Sequence, residues 1–341
     1  MESQWAAFLM KAISPTMPTN ERQRDLMTGK GVPSLPFGGR RFLGRKSLPR
    51  SSEELVPEAL TDSAVGTFQL GDHTVRRLGF GAMRITGDGV WGEPGDRDEA
   101  LAVLRRAVDL GVNLIDTADS YGPGVSEELI AEALHPYPDD LLIATKAGFL
   151  RDGPGEWRTC GRPEHLREAV EGSLERLRLD RIDLLQLHRI DPDVPAEDQL
   201  GTLTELREEG KIVHIGLSEI SVDQLDHAQG ITPIVSVQNR FNLEDRAAED
   251  VLDACEQRGI GFIPWYPLAS GNLLREGSPL DEIAETHDAS PAQIALAWLL
   301  RRSEVMLPIP GTSSVEHLED NLAAVEIELS DDDVAALEAA A

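Results

Sequence analysis

Four side chains of different chemistry, Asp116, Tyr121, Lys146 and His188, could together protonate a carbonyl oxygen. A phenol has a pKa near ~10 and is a poor proton donor and acceptor at neutral pH. A nearby ammonium group stabilises the phenolate and lowers that pKa, and a carboxylate keeps the buried ammonium charged. An imidazole beside the phenol can orient a carbonyl oxygen by hydrogen bonding. The set therefore predicts a site that protonates an oxyanion as it forms.

Short apolar runs that alternate with helical segments predict the elements that must position these side chains. The predicted strands are Leu78–Ala82, Val112–Ile115, Leu141–Thr145, Ile182–Leu187, Ile212–Leu217, Ile234–Val237, Ile260–Pro264 and Val305–Ile309. The predicted helices between them include Asp98–Leu110, Pro163–Leu177, Gly201–Glu209, Ala247–Arg258 and Pro291–Arg301. Neighbouring parallel strands need a crossover helix, so this alternation favours an α/β fold, a closed (β/α)8 TIM barrel.

Two further features bear on the fold. Thr67–Leu70 and His73–Arg77, joined at Gly71-Asp72, predict an N-terminal β-hairpin, which we expect to close the bottom of the barrel. The alternative is a doubly wound sheet, but no G-x-G-x-x-G motif opens a helix in this chain. Gly79-Phe80-Gly81 is only a partial match, because Arg84 stands at the third glycine position.

The order of the predicted strands brings the four reactive side chains to one place. Asp116 follows the second strand, Lys146 the third and His188 the fourth, and Tyr121 lies five residues beyond Asp116. Barrel enzymes carry their chemistry at the C-terminal ends of the strands, so we expect all four on one rim. Taken singly, each charged residue could equally form a structural ion pair, and Tyr121 could be a packing residue. Their coincidence on one rim favours catalysis.

Composition excludes several classes of protein. The chain has 341 residues and a formal net charge of −28, which opposes binding to nucleic acid or to anionic membranes. No apolar run is long enough for a transmembrane helix, and the apolar patch Trp5–Met10 is too short for a signal peptide, so we expect a cytoplasmic protein. Cys160 and Cys255 are far apart and belong to no paired motif. We therefore expect neither a disulfide framework nor a metal site.

Residues 1–62 differ in composition from residues 63–341, which we assign to the barrel. Residues 1–60 hold nine Lys and Arg against six Asp and Glu, whereas the rest carries a net charge of −31. Scattered Pro, Gly, Ser and Arg predict a disordered extension, which could dock a partner or be an artefact of the assigned gene start. Gly39–Ser47 resembles a phosphate-binding loop but lacks the flanking strand and helix. The acidic, lysine-poor barrel fits either a high-salt cytoplasm or a GC-rich genome.

Residues 67–341 resemble the aldo-keto reductase superfamily along the whole barrel. The matching motifs are Leu78–Met83, Asn113–Tyr121, Ile143–Lys146, Asp183–His188, Ile215–Glu219, Val237–Asn239, Pro264–Leu268 and Pro308–Asn321. The resemblance implies that Asp116, Tyr121, Lys146 and His188 form a catalytic tetrad, with Tyr121 as general acid in the reduction of an aldehyde or ketone. The alternative is a non-catalytic regulatory or binding subunit, since a barrel does not fix function.

The resemblance also implies a nicotinamide cofactor lying across the barrel mouth, NADPH first and NADH as the alternative. Ser218 and Gln238 match positions that hold the carboxamide, and Trp265 matches an aromatic, usually tyrosine, that stacks on the nicotinamide ring. The remaining implied cofactor residues are Gly81, Met83, Asp116, Tyr266, Leu268, Gly311, Thr312, Ser313, His317 and Asn321. Glu219 replaces a usual asparagine, and His317 replaces the arginine of many NADPH-specific members.

Within the superfamily, the loop Gly87–Arg97, the segment Tyr137–Asp140 and the sequence I-P-G-T-S-S resemble a bacterial branch. Some members of that branch reduce pyridoxal, but the branch does not fix the substrate. We expect a small carbonyl compound, with pyridoxal-like and aryl aldehydes as the candidates. Trp91, Phe149 and Trp157 fall on predicted rim loops and are expected to line an aromatic-tolerant pocket. The sequence does not specify an oligomeric state.

Overall fold

A parallel sheet wrapped by helices organises the chain in the computed structural model, which describes residues 59–268 and 279–340. The strands are β1 (Thr67–Leu70), β2 (His73–Arg76), β3 (Phe80–Gly81), β4 (Leu114–Asp116), β5 (Leu142–Ala147), β6 (Phe149–Gly153), β7 (Glu156–Thr159), β8 (Ile182–Leu187), β9 (Ile212–Ser218), β10 (Ser236–Gln238) and β11 (Gly261–Phe262). The helices are α1 (Asp62–Val65), α2 (Arg97–Asp109), α3 (Val125–Leu134), α4 (Pro163–Leu177), α5 (Ala196–Glu208), α6 (Val222–Gln229), α7 (Glu249–Arg258), α8 (Pro279–His287), α9 (Pro291–Arg302), α10 (Val315–Leu322) and α11 (Asp331–Ala340). Short 3-10 turns lie at Ala82–Ile85 and Ala323–Glu326.

Seven strands pair in the order β11-β10-β9-β8-β5-β4-β3, and every pair is parallel. Each strand therefore lies beside its predecessor in the main sheet, as expected for repeated strand–helix units. The predicted parallel α/β architecture is confirmed. An antiparallel hairpin of β6 and β7 interrupts the repeat between β5 and β8. Two of the predicted rim-loop aromatics, Phe149 and Trp157, lie on this hairpin.

Residues 305–310 join the two edges of the sheet. Phe262 of β11 donates its N–H to the carbonyl of Val305 at 2.8 Å, and Gly79 donates to the carbonyl of Pro308 at 2.9 Å. The predicted eighth strand thus bonds to both neighbours, but it is not a continuous strand. Proline has no N–H to donate, so Pro308 and Pro310 interrupt the ladder. A Cβ on Gly81 would lie 2.6 Å from the carbonyl oxygen of Ile309, so this closing contact requires glycine.

Helix ends follow the local sequence. Ser290 and Gln293 form a reciprocal capping box at the start of α9, with Pro291 in its first turn. Gly111, Gly210 and Gly259 follow helices with φ of +88°, +77° and +65°, which confirms the predicted left-handed turns. None of the helices in the described part of the chain has the length and apolar content needed to cross a bilayer.

The predicted N-terminal hairpin forms as β1 and β2, and it contacts the start of the parallel strands. Leu70 and Val75 are fully buried in one cluster with Leu114, Leu142 and Leu184, each of which lies early in its strand. The hairpin turn is also held by a hydrogen bond from the backbone N–H of Asp72 to His214 Nε2 at 3.2 Å.

The N-terminal boundary of the folded unit lies earlier than expected. Leu60, which the sequence assigned to the extension, is buried and donates its N–H to the carbonyl of Leu110 at 2.7 Å. Thr61 caps α1 by accepting from the N–H of Ala64. These apolar and capping contacts make residues 60–62 part of the barrel. Residues 1–58, including the phosphate-loop-like segment, lie outside the described residues.

Candidate active site

Strand alternation places an apolar layer below a reactive one. Side chains two residues apart on a strand share a face, so Leu142 and Lys146 share one face of β5, as Leu184 and Gln186 do on β8. The register aligns Lys146 directly with Gln186. The inward face therefore begins with leucines that pack on the hairpin and ends with polar groups at the C-terminal rim. The sequence predicted the polar groups at this rim but not the leucine layer below them.

Asp116, Lys146 and Tyr121 form one hydrogen-bonded chain. Lys146 is completely buried, and its Nζ donates to Asp116 Oδ1 at 2.5 Å and to the carbonyl of Thr117 at 2.8 Å. The same Nζ lies 3.4 Å from Tyr121 Oη. The phenol is therefore the open end of a chain whose other end is a buried carboxylate.

Two buried amides fix the carboxylate. Asp116 Oδ2 accepts from Gln186 Nε2 at 2.9 Å and from Gln238 Nε2 at 2.8 Å. Together with Lys146, these donors occupy both carboxylate oxygens. Each of the three donors comes from a different strand, so Asp116 is the point at which β5, β8 and β10 meet at the rim.

Burial and charge set the protonation of the phenol and the ammonium. Burial raises the pKa of Tyr121 above its ordinary value, while the nearby Lys146 opposes that rise. The sequence predicts that the ammonium lowers the pKa of the phenol. In the structure, desolvation raises this pKa by more than Lys146 lowers it. Burial acts to lower the pKa of Lys146, but Asp116 and Tyr121 raise it more, so the ammonium stays charged. Tyr121 is thus a protonated donor beside a permanent cation.

His188 completes the predicted set. It follows β8 directly, and its ring centroid is 6.0 Å from that of Tyr121. Burial, followed by the charges of Lys146, Arg189 and Arg151, holds the pKa of His188 well below 6.5. The imidazole is therefore neutral, and Nδ1 lies 3.4 Å from Ser120 Oγ. A neutral imidazole and a phenol that face one space can both hydrogen-bond a carbonyl oxygen.

Aromatic rings surround this pair of donors. The ring centroid of Phe149 is 4.6 Å from that of His188, and the centroid of Trp157 is 6.3 Å from that of Tyr121. Trp91 reaches the same wall through a backbone bridge to Gly122. Trp91, Phe149 and Trp157, which we call the aromatic wall, thus lie near the reactive rim, and their role in a substrate pocket stays a prediction.

Three residues assigned to the nicotinamide lie on neighbouring strand ends. Ser218 ends β9, Gln238 ends β10, and Trp265 follows β11. Gln238 also contacts Asp116, so this position is tied directly to the tetrad. Glu219 Oε1 accepts from Trp265 Nε1 at 2.6 Å, which fixes the indole.

The other residues assigned to the cofactor flank the joint between β3 and residues 305–310. Thr312 Oγ1 accepts from the N–H of Ser314, and Ser314 caps α10 by accepting from the N–H of His317. The His317 side chain is exposed, and Asn321 on the same helix is buried. Gly81 and Gly311 are in backbone contact, and Met83 packs against the Tyr121 cluster. Tyr266 lies beside Trp265, Leu268 is half-buried and Ser313 is exposed.

Sequence reasoning missed three residues of the site. Gln186 lies two positions before His188 and so shares its strand face, a signal that strand periodicity could have supplied. Arg189 Nη1 donates to Ser218 Oγ at 3.0 Å, and its guanidinium carbon lies 5.5 Å from the Phe149 ring centroid. The guanidinium carbon of Arg151 lies 3.7 Å from the ring centroid of Trp157. In the sequence, neither arginine differs visibly from a surface arginine.

No group of three or more His, Cys, Asp or Glu side chains in the described segments is arranged to hold a metal ion. The donor set at the rim instead consists of hydroxyls, amides, an indole and the Gly311–Ser314 turn, which directly precedes α10. Such groups suit a ligand with an aromatic ring, an amide and phosphates, since hydroxyls and amides bond amides and helix N-termini favour anions.

Comparison with known proteins gives a consistent result. Residues 77–341 match the model of the Aldo/keto reductase family. An uncharacterized oxidoreductase of Schizosaccharomyces pombe is 53% identical over 287 residues, covering 84% of this chain and 94% of that protein. Pyridoxine 4-dehydrogenase of Escherichia coli is 44% identical over 278 residues, covering 80% of this chain and 97% of that protein.

Solved structures agree with the sequence matches. A thermostable aldo-keto reductase in complex with the inhibitor epalrestat superposes with a TM-score of 0.72 at 33% identity, covering 80% of this chain and 98% of that one. An aldo-keto reductase from Klebsiella pneumoniae in complex with NADPH gives a TM-score of 0.68 at 28% identity, covering 80% of this chain and 94% of that one. The fold, the rim and these matches lead to one conclusion: this chain belongs to the aldo/keto reductase family.

Proposed function

We propose that this protein reduces an aldehyde or ketone to an alcohol, with Tyr121 as the proton donor and a nicotinamide cofactor as the hydride donor. The observation that carries the proposal is the buried chain Asp116–Lys146–Tyr121 beside a neutral His188. The oxidation of an alcohol is the same reaction in reverse, with Tyr121 accepting the proton.

The protein side of the mechanism follows from the geometry. The substrate carbonyl oxygen takes hydrogen bonds from Tyr121 Oη and from the neutral imidazole of His188. A nicotinamide cofactor held by the rim residues would supply the hydride for the carbonyl carbon. As negative charge grows on the oxygen, Tyr121 transfers its proton, and Lys146 stabilises the phenolate that remains. Asp116 keeps Lys146 charged in a position that has no access to water.

NADPH is the proposed cofactor, with NADH as the alternative. The family relationship and the NADPH-bound relative from Klebsiella pneumoniae support this choice. Ser218, Gln238 and Trp265 would hold the nicotinamide, and the Gly311–Ser314 turn with His317 and Asn321 would hold the adenosine phosphate. Arg84, which is exposed beside Gly311, would provide a permanent charge near this turn.

A planar aldehyde of pyridoxal-like or aryl type is the proposed substrate. The aromatic wall of Phe149 and Trp157 supports a planar ring, and the 44% identical pyridoxine 4-dehydrogenase acts on a pyridine alcohol by its name. The intact set of four residues disfavours a purely regulatory role. We also propose that the β1–β2 hairpin closes the end of the barrel opposite the site, since it packs on the beginnings of the strands.

The proposed function has a direct test. Purified protein is assayed for oxidation of NADPH and of NADH with pyridoxal, benzaldehyde and acetophenone, and for the reverse reaction with pyridoxine and benzyl alcohol. We expect turnover with at least one aldehyde, faster with NADPH, and weaker turnover with the ketone. Saturable NADPH binding without turnover of any of these compounds would instead favour the binding-subunit alternative.

A further inference from the structure

Arg151, the third residue of β6, places its donors on carbonyl oxygens from three separate segments. Its Nη1 donates to the carbonyl of Ser120 at 2.6 Å and to that of Val90 at 2.9 Å. Its Nη2 donates to the carbonyl of Gly89 at 3.0 Å, and its Nε donates to the carbonyl of Glu156 at 2.9 Å. The side chain therefore ties the 87–92 loop, the Tyr121 loop and the β6–β7 hairpin to one another.

The guanidinium also holds the aromatic wall. Its central carbon lies 3.7 Å from the ring centroid of Trp157 and 5.6 Å from that of Trp91. A planar guanidinium stacks favourably on an indole face. Burial lowers the pKa of Arg151 to about 10, so it remains a cation at neutral pH. Two of the three aromatic residues at the pocket therefore contact one side chain.

The segments that Arg151 binds are those that place the reactive groups. The Ser120 carbonyl immediately precedes Tyr121 in the chain, and Ser120 Oγ lies 3.4 Å from His188 Nδ1. Val90 has a φ of +55°, which is costly for a β-branched residue and persists only where surrounding contacts impose it. The N–H of Gly122 bonds the same Val90 carbonyl at 3.3 Å. The strained loop and the Tyr121 loop are thus joined at a carbonyl that Arg151 also binds.

We propose that Arg151 is a positioning residue for carbonyl reduction: it locks two loops and a hairpin into one wall and thereby fixes Tyr121 and the pocket aromatics relative to the substrate. The importance of Arg151 for catalysis rests on the proposed function, whereas its locking of the loops does not. Lysine cannot replace it, because an ammonium offers three donors from one point and cannot reach four carbonyls in a fork.

The first test compares variants with a matched control on the same hairpin. Arg158 lies on β7, is largely exposed and pairs only with Asp152 among its described contacts, so Arg158→Ala removes the same charge without opening the wall. We expect Arg151→Ala to lower kcat/KM for an aryl aldehyde by about 10²-fold, as loss of positioning by about 1 Å does. Arg151→Lys should also lower kcat/KM by at least tenfold, and Arg158→Ala should have the kcat/KM of the wild type.

Rescue and binding measurements separate positioning from general damage. Methylguanidinium should restore part of kcat/KM in Arg151→Ala in a saturable manner, with no effect on Arg158→Ala. The Kd for NADPH, measured by quenching of tryptophan fluorescence, should stay within about twofold of the wild type, because Arg151 contacts none of Ser218, Gln238 and Trp265, which are assigned to the nicotinamide. Wild-type kcat/KM in Arg151→Lys would overturn the proposal, as would equal loss of NADPH binding and turnover in Arg151→Ala.

A second test needs no turnover. Amide hydrogen exchange is followed in residues 87–92 and 118–122 of the wild type, Arg151→Ala and Arg158→Ala. We expect exchange in both loops to rise by about tenfold or more in Arg151→Ala alone, with the strand amides unchanged. Unchanged exchange in the two loops would overturn the proposal. A wild-type protein that reduces no carbonyl would contradict the proposed function, and the exchange data would still decide whether Arg151 locks the wall.

Discussion

The indole Nε1 of Trp265 donates a hydrogen bond to Glu219 Oε1 at 2.6 Å. Both residues differ from those that the family usually carries, tyrosine and asparagine, so the two departures are joined by one bond. Glu219 has a φ of +57°, a region that asparagine tolerates better than glutamate. The same Oε1 accepts the backbone N–H of Arg240 at 2.6 Å. The carboxylate of a residue with a strained backbone therefore holds both the Trp265 ring and the Arg240 backbone.

From this bond we expect Glu219→Ala to weaken NADPH binding. A hydrogen bond to a charged acceptor contributes about 1.5–3 kcal/mol, and its loss frees the Trp265 ring, so Kd should rise about tenfold or more. Glu219→Gln keeps an oxygen acceptor and should change Kd much less. Fluorescence titration with NADPH checks both variants. Equal Kd values for the wild type and Glu219→Ala would show that Glu219 does not fix the ring.

Asp119 should destabilise the folded protein at alkaline pH. Burial, and next the charge of Glu127, raise its pKa from 3.8 to about 8, and its Oδ1 has no hydrogen-bond partner within the described residues. A folded pKa above the unfolded one gives stability that is complete below pH 3.8 and is lost as pH rises toward 8. Asp119→Asn keeps the shape without the charge.

We therefore expect Asp119→Asn to raise the Tm at pH 8 by at least about 2–4 °C, which corresponds to ~1 kcal/mol for a domain of this size. At pH 5 the gain should be smaller, because pH 5 is closer to the unfolded pKa of 3.8 and less of that stability has been lost there. Thermal unfolding of both proteins across this range gives the comparison. A gain independent of pH, or a loss at pH 8, would contradict the assignment of a raised pKa.

The strongly acidic charge predicts a stability that depends on salt. With a net charge of −28, the chain repels itself at low ionic strength, and added salt screens that repulsion. We expect the Tm to rise from dilute buffer to molar KCl, with much of the rise below ~0.15 M, where the Debye length falls to ~8 Å. An equal osmolality of sucrose serves as the control. A Tm that is flat in KCl would remove the link between acidity and a high-salt cytoplasm.

His317→Arg should shift cofactor preference toward NADPH. The side chain at this position is exposed beside the cap of α10, and a guanidinium there could pair with a 2′-phosphate through its planar fork of donors, which an imidazole does not have. We expect the ratio of kcat/KM for NADPH over NADH to rise about tenfold, consistent with one charged hydrogen bond. His317→Gln, which adds no charge, should leave the ratio unchanged. If arginine also leaves it unchanged, the phosphate lies elsewhere.

The clustering of Asp116, Tyr121, Lys146 and His188 was predictable because two simple rules act together: polar residues lie at strand ends, and parallel strands share a rim. The eighth strand was predicted only in part, because apolar content says nothing about the missing N–H groups of Pro308 and Pro310. Leu60 was misassigned because it is held by a hydrogen bond to the carbonyl of Leu110, which is distant in the sequence and leaves no local signal. Arg151 could not be found from the sequence, because the carbonyl groups that it binds belong to segments up to 62 residues away along the chain.

The most direct test of the account is the Tyr121→Phe variant. The substitution removes one hydroxyl and keeps a buried ring, so packing and NADPH binding should barely change. What is lost is the proton given to the carbonyl oxygen, and positioned general acid catalysis contributes about 10²–10⁴-fold. We therefore expect kcat for the best aldehyde substrate to fall by at least 10²-fold while the Kd for NADPH stays within about twofold. A Tyr121→Phe protein that turns over at near wild-type rate would contradict the assignment of Tyr121 as proton donor and with it the proposed mechanism.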